Sequence, residues 1–303
     1  MGAVRRRRTS AGCRGGAARG PRARRSPFAP TSRATGGHAL YAEDWETCLA
    51  LSRSAVQRFE LAGDPRAVAM QLVFIADSYK ELGAYEQAEP LFREAIATSS
   101  RMGLHTVTAL AKLNLGIVLA FSGSTASAII IEQEALAAYT EYGDHRLQIC
   151  AKTYLAIILA TSGDFAGAER FAREATETPC HSPPTRAFAY ATLASVLLLL
   201  GGKPAEALDS VRVAMGTLKE IGHLEEGEAL TRLAFAEALQ ATGDEDGARR
   251  AIADGRDRIL ARAASLRDPA IRQGFLTRVP SNAKTLTLAR EWLGEPTARR
   301  GSG

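Results

Sequence analysis

Apolar residues recur at three- and four-residue intervals along most of the chain, and glycines interrupt this pattern at regular distances. The clearest unit begins near residue 65. Its pattern predicts a helix over residues 66–82, a turn at Gly83, and a second helix over residues 85–102 that ends at Gly103. Two amphipathic helices joined by a short turn form a helical hairpin, so this stretch is predicted to be one.

The same unit returns about every 40 residues along the chain. A glycine marks the turn of each hairpin, at Gly83, Gly123, Gly163, Gly201 with Gly202, and Gly243. A small residue lies within each first helix, at Ala76, Gly116, Ala156, Ala194 and Ala236, and within each second helix, at Ala88, Ala128, Ala168, Ala207 and Ala248. Small side chains let neighbouring helices approach closely. The pattern therefore predicts an all-α fold, an α–α superhelix of stacked hairpins.

The first full hairpin resembles the tetratricopeptide repeat. The residues that carry the resemblance are Leu72, Ile75, Ala76, Tyr79, Gly83, Tyr85, Ala88, Phe92 and Ala95. Two departures are a period longer than the usual length of about 34 residues and Glu132, which occupies the aromatic position of the next second helix. Longer repeats of this kind are similar to the MalT-like helical arms of bacterial multidomain regulators, which carry kinase, ATPase or transcriptional modules. The resemblance implies a scaffold or sensor arm.

Four parts are predicted from these patterns. Residues 1–38 form an Arg-rich disordered tail, and residues 39–266 form the repeat array of a half repeat and five full hairpins. Residues 267–294 form two capping helices, because the period breaks there and a solenoid needs a terminal unit that shields its last apolar face. Residues 295–303 form a disordered end. The half repeat suggests either a fragment of a longer regulator or another element that covers the face of Trp45.

The positive net charge of +5 belongs to the N-terminal tail. The first 37 residues hold ten arginines and no acidic residue, whereas the rest has 28 Lys and Arg against 33 Asp and Glu, a net charge of −5. The tail is interpreted either as a cationic arm for nucleic acid or anionic lipid, or as an extension without function. The acidic body makes nucleic-acid binding by the repeats themselves the weaker hypothesis.

The composition predicts a cytoplasmic protein. The longest apolar run, residues 196–200, is too short to span a bilayer, so no transmembrane helix is expected. Four cysteines, Cys13, Cys48, Cys150 and Cys180, lie far apart, which predicts neither a disulfide framework nor a zinc site.

Motifs of catalysis are absent from the sequence, so the protein is predicted to be no enzyme and to hold no cofactor or metal. Phosphate-binding, zinc-protease and nucleophile-elbow motifs do not occur. His105, His145 and His223 recur after the hairpin exits, and are interpreted as solvated turn residues and not as metal ligands, because stacked repeats are too far apart. Glu225 and Glu226 are interpreted as acids that favour the start of a helix.

A binding surface is therefore the predicted functional site. In tetratricopeptide arrays the first helices line the concave face, and the resemblance implies that a protein or peptide partner binds there. Carried over to this sequence, the groove positions are Met70, Val73, Asp77, Lys80, Leu110, Leu113, Ile117, Thr153, Ile157, Leu233, Glu237 and Gln240. An equal alternative is that these residues are buried within the array. Small-molecule sensing in the groove also stays open, as do the partner and the oligomeric state.

Overall fold

The computed structural model describes residues 45–294, and within that range the chain forms thirteen helices and no strand. In chain order they are α1 (Trp45–Leu61), α2 (Pro65–Glu81), α3 (Tyr85–Arg101), α4 (His105–Phe121), α5 (Thr125–Tyr142), α6 (His145–Ser162), α7 (Phe165–Glu177), α8 (Pro183–Leu200), α9 (Pro204–Ile221), α10 (Glu228–Ala241), α11 (Glu245–Ser265), α12 (Pro269–Thr277) and α13 (Pro280–Leu293). The predicted all-α superhelix is confirmed. The predicted disordered segments, residues 1–38 and 295–303, lie outside the described residues.

Local signals place the ends of the first full hairpin within a residue or two of the prediction. The Asp64 side chain accepts a hydrogen bond from the amide of Ala67 at 3.1 Å, which satisfies a free donor at the start of α2. Gly83 and Gly103, which follow α2 and α3, adopt φ angles of 69° and 65°. These left-handed conformations are strained for other residues, so glycine at these turns ends each helix cleanly.

Small residues lie at the helix crossings, as the sequence pattern predicts. All ten recurring positions are buried. One is Gly116, and the other nine are alanines without exposed surface: Ala76, Ala88, Ala128, Ala156, Ala168, Ala194, Ala207, Ala236 and Ala248. Ala168, for example, packs in a cluster with Leu159 of the preceding helix and Val196 of α8. A larger side chain at such a crossing would have no free volume to occupy.

Gly116 and Glu132 form an exceptional pair at one crossing. Each second helix has a buried side chain 16 or 17 residues after the small residue of its first helix. These side chains are Phe92, Glu132, Ala172, Val211 and Ile252. Glu132 is 0% exposed, and neither carboxyl oxygen has a hydrogen-bond partner among the described residues. A Cβ atom at Gly116 would collide with Glu132 Oε2, so glycine makes room for the carboxyl group. Burial raises the pKa of Glu132 well above its usual value.

The first helices form the inner side of the superhelix. Each of α2, α4, α6 and α8 packs against the first helix of the next hairpin as well as against its own second helix, and α10 packs against α11 and α13. Helices on the inside of a curved array lie closer together than those on the outside. Side chains of all five first helices consequently face one shared space.

Helix α12 and Arg278, which follows it, reach back to the first full hairpin. The turn at Gly83 touches α12 so closely that a Cβ atom there would lie 2.7 Å from the carbonyl oxygen of Gly274. Tyr85 Oη donates a hydrogen bond to the carbonyl oxygen of Arg278 at 3.1 Å. The Arg278 guanidinium donates two hydrogen bonds to Glu86, at 2.6 and 2.7 Å. The described array is thus closed across its inner side.

Helix α13 covers the last hairpin. Its Thr285 methyl group lies 3.4 Å from the position that a Cβ atom would take at Gly255 of α11, so this glycine lets α13 approach. Asn282 of α13 donates a hydrogen bond to the carbonyl oxygen of Phe275 at 2.9 Å. The helix begins at Pro280 with Val279 as its cap, because proline is pre-organised for the first helical position.

Helix α8, Pro183–Leu200, is long and apolar enough to cross a membrane if only length and composition are considered. In the structure it is the first helix of the fourth hairpin and packs against α6, α9 and α10. Half of its residues are buried inside the described array.

Candidate functional site

A cavity of about 320 Å³ lies between the first helices and the C-terminal pair. The ends of α2, α4, α6 and α8 form one side of it. The loop before α10, the first turns of α10, and residues of α11, α12 and α13 form the other side. The cavity therefore exists only because the C-terminal helices return to the first full hairpin.

Most of the cavity wall is apolar. Aliphatic and aromatic side chains from six elements contribute, among them Ile117, Phe121, Tyr154, Ile157, Phe188, Leu224, Leu233 and Phe275. The rings of Tyr154 and Phe188 meet edge to face, with centroids 6.0 Å apart. Small-molecule and side-chain sites in proteins have this character, an apolar wall with a few polar groups that fix the orientation of the ligand.

Lys80 is the centre of the polar part of the cavity. Its buried Nζ atom lies 2.8 Å from Asp77 Oδ1, 3.2 Å from Glu81 Oε1 and 3.3 Å from Glu226 Oε1. It also donates hydrogen bonds to Asn114 Oδ1 at 2.8 Å and to Tyr154 Oη at 3.0 Å. Helices α2, α4 and α6 and the loop before α10 are joined through this one ammonium group.

Carboxylates outnumber cations around Lys80, and their pKa values differ from those in water. Burial alone would lower the pKa of Lys80, but its carboxylate neighbours, Asp77 first, raise it well above the usual value. Burial raises the pKa of Glu226 to about 7, against the opposing effect of Lys80. Burial likewise raises the pKa of Glu81. The surroundings thus favour the charged form of Lys80 and oppose the ionised form of Glu226.

The loop before α10 positions Glu226. Gly227 has a φ angle of 78°, and a Cβ atom there would collide with the ring of Phe188, so the loop lies directly on α8. The next residue, Glu228, is buried and accepts hydrogen bonds from Arg232 and Arg258 at 3.0 and 3.2 Å. These contacts hold the loop, and Glu226 is bound by Lys80 and by Tyr154 Oη.

The predicted groove residues divide into three groups. Lys80, Ile117, Ile157 and Leu233 line the cavity. Asp77 binds Lys80, and Glu237 pairs at 2.5 Å with the cavity residue Lys284. The remaining six lie elsewhere: Val73, Leu113 and Thr153 are buried, Met70 and Leu110 are half-buried, and Gln240 is exposed. Transfer of repeat positions thus found part of the cavity wall.

Sequence reasoning missed the residues that the closure brings into the cavity. Phe188 and Thr192 belong to α8, Phe275 belongs to α12, and Glu226 lies in a loop that was interpreted only as a helix start. The repeat pattern shows which residues share a helix face. It carries no signal for a contact between the first full hairpin and a helix near the end of the chain.

Comparison with known protein families identifies the repeats. Residues 66–141, which comprise α2 to α5 almost completely, match the family model described as tetratricopeptide repeat. The two hairpins in this range are similar to tetratricopeptide repeats. No protein in a search of curated sequences matches the chain. The MalT-like subclass is a finer assignment than these repeats establish.

Solved structures with the same fold include several tetratricopeptide-like proteins. A Rap conjugation gene regulator of the plasmid pLS20, in complex with the Phr* peptide, has a TM-score of 0.63 at 14% identity, over 86% of this chain and 75% of that one. NprR in complex with its cognate peptide NprX has a TM-score of 0.62 at 11% identity, over 88% and 74%. BtubC from P. vanneervenii has a TM-score of 0.52 at 20% identity, over 74% and 94%. At these identities the likeness establishes the fold.

Proposed function

We propose that this chain is a non-enzymatic binding module whose inner face and cavity take up a segment of another protein or a peptide. The observation that carries the proposal is the apolar cavity at which all five first helices and the C-terminal pair converge. An enclosed apolar wall with a few fixed polar groups suits an inserted side chain or short segment. Two proteins of the same fold have structures with a bound peptide, which supports this choice.

The twelve groove positions of the sequence analysis stay part of the proposal as candidates for partner contact. The four that line the cavity, Lys80, Ile117, Ile157 and Leu233, are the first to test. We also propose that the chain works in the cytoplasm and serves as a sensor or scaffold arm of a bacterial regulator. Nucleic-acid binding, if present, is assigned to residues 1–37 and should be lost when they are deleted.

A small molecule is the second candidate ligand, favoured by one observation. The contacts of Arg278 with Glu86 and Tyr85 close the array, and the cavity volume of about 320 Å³ is at the lower end for small-molecule sites. A free peptide would enter the cavity with only one or two side chains.

Peptide-library selection on the full chain tests the proposed function. Random twelve-residue peptides are displayed and selected on the wild type, and the enriched peptides are measured by calorimetry against two variants. Ile157→Trp fills the cavity from its wall, whereas Ile130→Trp places the same side chain on the outer surface, where Ile130 is 60% exposed.

We expect enriched peptides to bind the wild type and Ile130→Trp equally and to lose at least tenfold in affinity for Ile157→Trp. Failure to enrich any peptide would contradict the proposed function. Equal binding to both variants would place the peptide site elsewhere on the chain and would contradict the role of the cavity.

A further inference from the structure

We propose that the cavity is selective for a positively charged group carried by an apolar segment, with the carboxylate of Glu226 as its partner. This inference rests on the proposed function and names the chemistry of the peptide that the cavity accepts. The accepted peptide carries a basic side chain, of arginine or lysine, next to a large apolar residue.

The cations of the cavity are already engaged, so the site does not suit an anion. Lys80 contacts three carboxylates, those of Asp77, Glu81 and Glu226. Lys284 pairs with Glu237, and the Arg262 guanidinium lies over the ring of Phe275. A carboxylate or phosphate ligand would have to displace one of these half-buried carboxylates from Lys80, which is costly because it breaks an ion pair of a buried ammonium group.

The carboxylates of the cavity, by contrast, exceed the cations that can neutralise them. Glu81, Glu225, Glu226 and Glu228 line the wall, and only Glu228 has arginines of its own, Arg232 and Arg258. Asp77, Glu81 and Glu226 share Lys80, and Glu225 is an exposed acid at the edge of the wall. A cationic ligand would balance this excess, and its charge would favour the ionised form of Glu226.

One oxygen atom of Glu226 is free to receive such a ligand. The hydrogen bonds from Lys80 and from Tyr154 both end on Oε1. Oε2 has no partner among the described residues, and the side chain is 33% exposed while it lines the cavity. An ammonium or guanidinium group can therefore bind Oε2 without breaking a contact of the folded protein.

Thr192 provides an independent sign of a missing ligand. It lines the cavity and is 1% exposed, yet its Oγ1 atom has no hydrogen-bond partner within residues 45–294. Buried hydroxyl groups are almost always hydrogen-bonded, because an unpaired one costs free energy. Thr192 lies one helical turn after Phe188, whose ring contacts the loop that carries Glu226. Thr192 thus brings an unpaired hydroxyl group to the part of the wall that adjoins this loop.

The apolar wall selects the rest of the segment. Phe188, Tyr154 and Leu224 stand around the loop that carries Glu226, and Ile117 and Ile157 continue the wall. The volume of about 320 Å³ holds a large side chain and a neighbouring charged group but no helix. An aromatic residue followed by a basic one matches both requirements.

A pair of isosteric probes tests the charge directly. N-acetyl-phenylalanyl-arginine amide is compared with the same dipeptide that carries citrulline, which keeps the shape of arginine and removes its charge. Dissociation constants are measured by calorimetry or ligand-observed NMR on the full chain. We expect the arginine probe to bind about 10- to 100-fold more tightly, the range of a hydrogen bond to a charged group.

Two variants and one control locate the effect. Glu226→Gln should bring the ratio of the two dissociation constants close to one, and Lys80 keeps Asp77 and Glu81 as partners in that variant. Thr192→Val breaks no hydrogen bond of the described structure and should weaken both probes several-fold. The control Glu220→Gln changes an exposed acid of α9 that does not line the cavity, and should change neither constant.

Failure of this inference can be told apart from failure of the proposed function. Equal binding of the two probes to the wild type would overturn the charge selectivity and leave peptide binding intact. If neither probe binds while library-selected peptides do, this inference fails alone. If neither the probes nor the library gives binding, both fail. An unchanged ratio in Glu226→Gln would overturn the role of that carboxylate.

Discussion

Arg278 donates two hydrogen bonds to the carboxylate of Glu86, at 2.6 and 2.7 Å, across 192 residues of sequence. The guanidinium also lies over the ring of Tyr85, with its central carbon 5.1 Å from the ring centroid. Both side chains of the ion pair are substantially exposed, so this pair alone adds little stability. Its importance is geometric, because it joins the first full hairpin to the C-terminal helices and so encloses the cavity.

The close approach of Gly83 to Gly274 gives a prediction with an internal control. Gly83→Ala and Gly103→Ala both place a side chain on a backbone with a φ angle near 65–70°, but only at Gly83 does the new atom meet another backbone, at 2.7 Å. The shared conformational strain is about 1 kcal/mol. We expect Gly83→Ala to lose clearly more unfolding free energy in urea than Gly103→Ala. Equal losses would mean that α12 moves away from the new methyl group without a loss of unfolding free energy.

Overpacking a helix crossing should destabilise the array. Ala168 is fully buried between Leu159 and Val196, so Ala168→Leu has to displace both neighbours. We expect a loss of about 1–3 kcal/mol in unfolding free energy, measured by urea denaturation. Ala126→Leu, on the exposed first turn of α5, is the matched control and should stay within about 0.5 kcal/mol of the wild type. An unchanged unfolding free energy in Ala168→Leu would contradict the tight packing at this crossing.

The contact between Gly116 and Glu132 predicts that Gly116→Ala has opposite effects on stability in the presence and in the absence of the Glu132 carboxyl group. In the wild type, Gly116→Ala drives a Cβ atom into the buried carboxyl group and should destabilise the protein. With Glu132→Ala as the background that clash is absent, and the same change should stabilise by up to about 1 kcal/mol, the preference of a helix interior for alanine. Urea denaturation of the four proteins measures the coupling. Additive effects would show that the two residues do not constrain each other.

Stability should fall as the pH rises because of Glu132. Burial raises the pKa of this carboxyl in the folded state above its usual value of 4.5, so the folded chain holds a proton that the unfolded chain releases. The stabilising effect of that proton is complete below pH 4.5 and is lost progressively as the pH rises towards the folded-state pKa. Glu226, with its pKa raised to about 7, adds to the same trend.

Glu132→Gln should therefore flatten the dependence of unfolding free energy on pH. We expect the variant to gain most over the wild type at the highest pH, in urea titrations at about pH 5, 6.5 and 8. Glu141→Gln changes an exposed acid of the same helix and should leave the wild-type slope unchanged. Parallel curves for the wild type and Glu132→Gln would show that the carboxyl is not held in its neutral form.

The hairpins could be predicted from the sequence, but the cavity could not. Local signals such as the cap at Asp64 and the positive φ angle at Gly83 act within a few residues, so helix ends could be predicted closely. The resemblance also supplied Lys80 and Ile157 as inner-face residues. The curvature that brings Phe275 and Glu226 to them is the sum of many small rotations between hairpins, and no short pattern encodes that sum.

Contact between the two ends of the described array fixes how many hairpins it can contain. An open stack of repeats can gain or lose a unit, because each unit touches only its neighbours and the stack merely grows longer or shorter. Here an added or deleted hairpin would rotate Gly274 away from Gly83, and the partnership of Glu86 and Arg278 could not form. Repeat number varies in open solenoids but is fixed in this molecule. Unfolding of any one hairpin therefore destabilises the others.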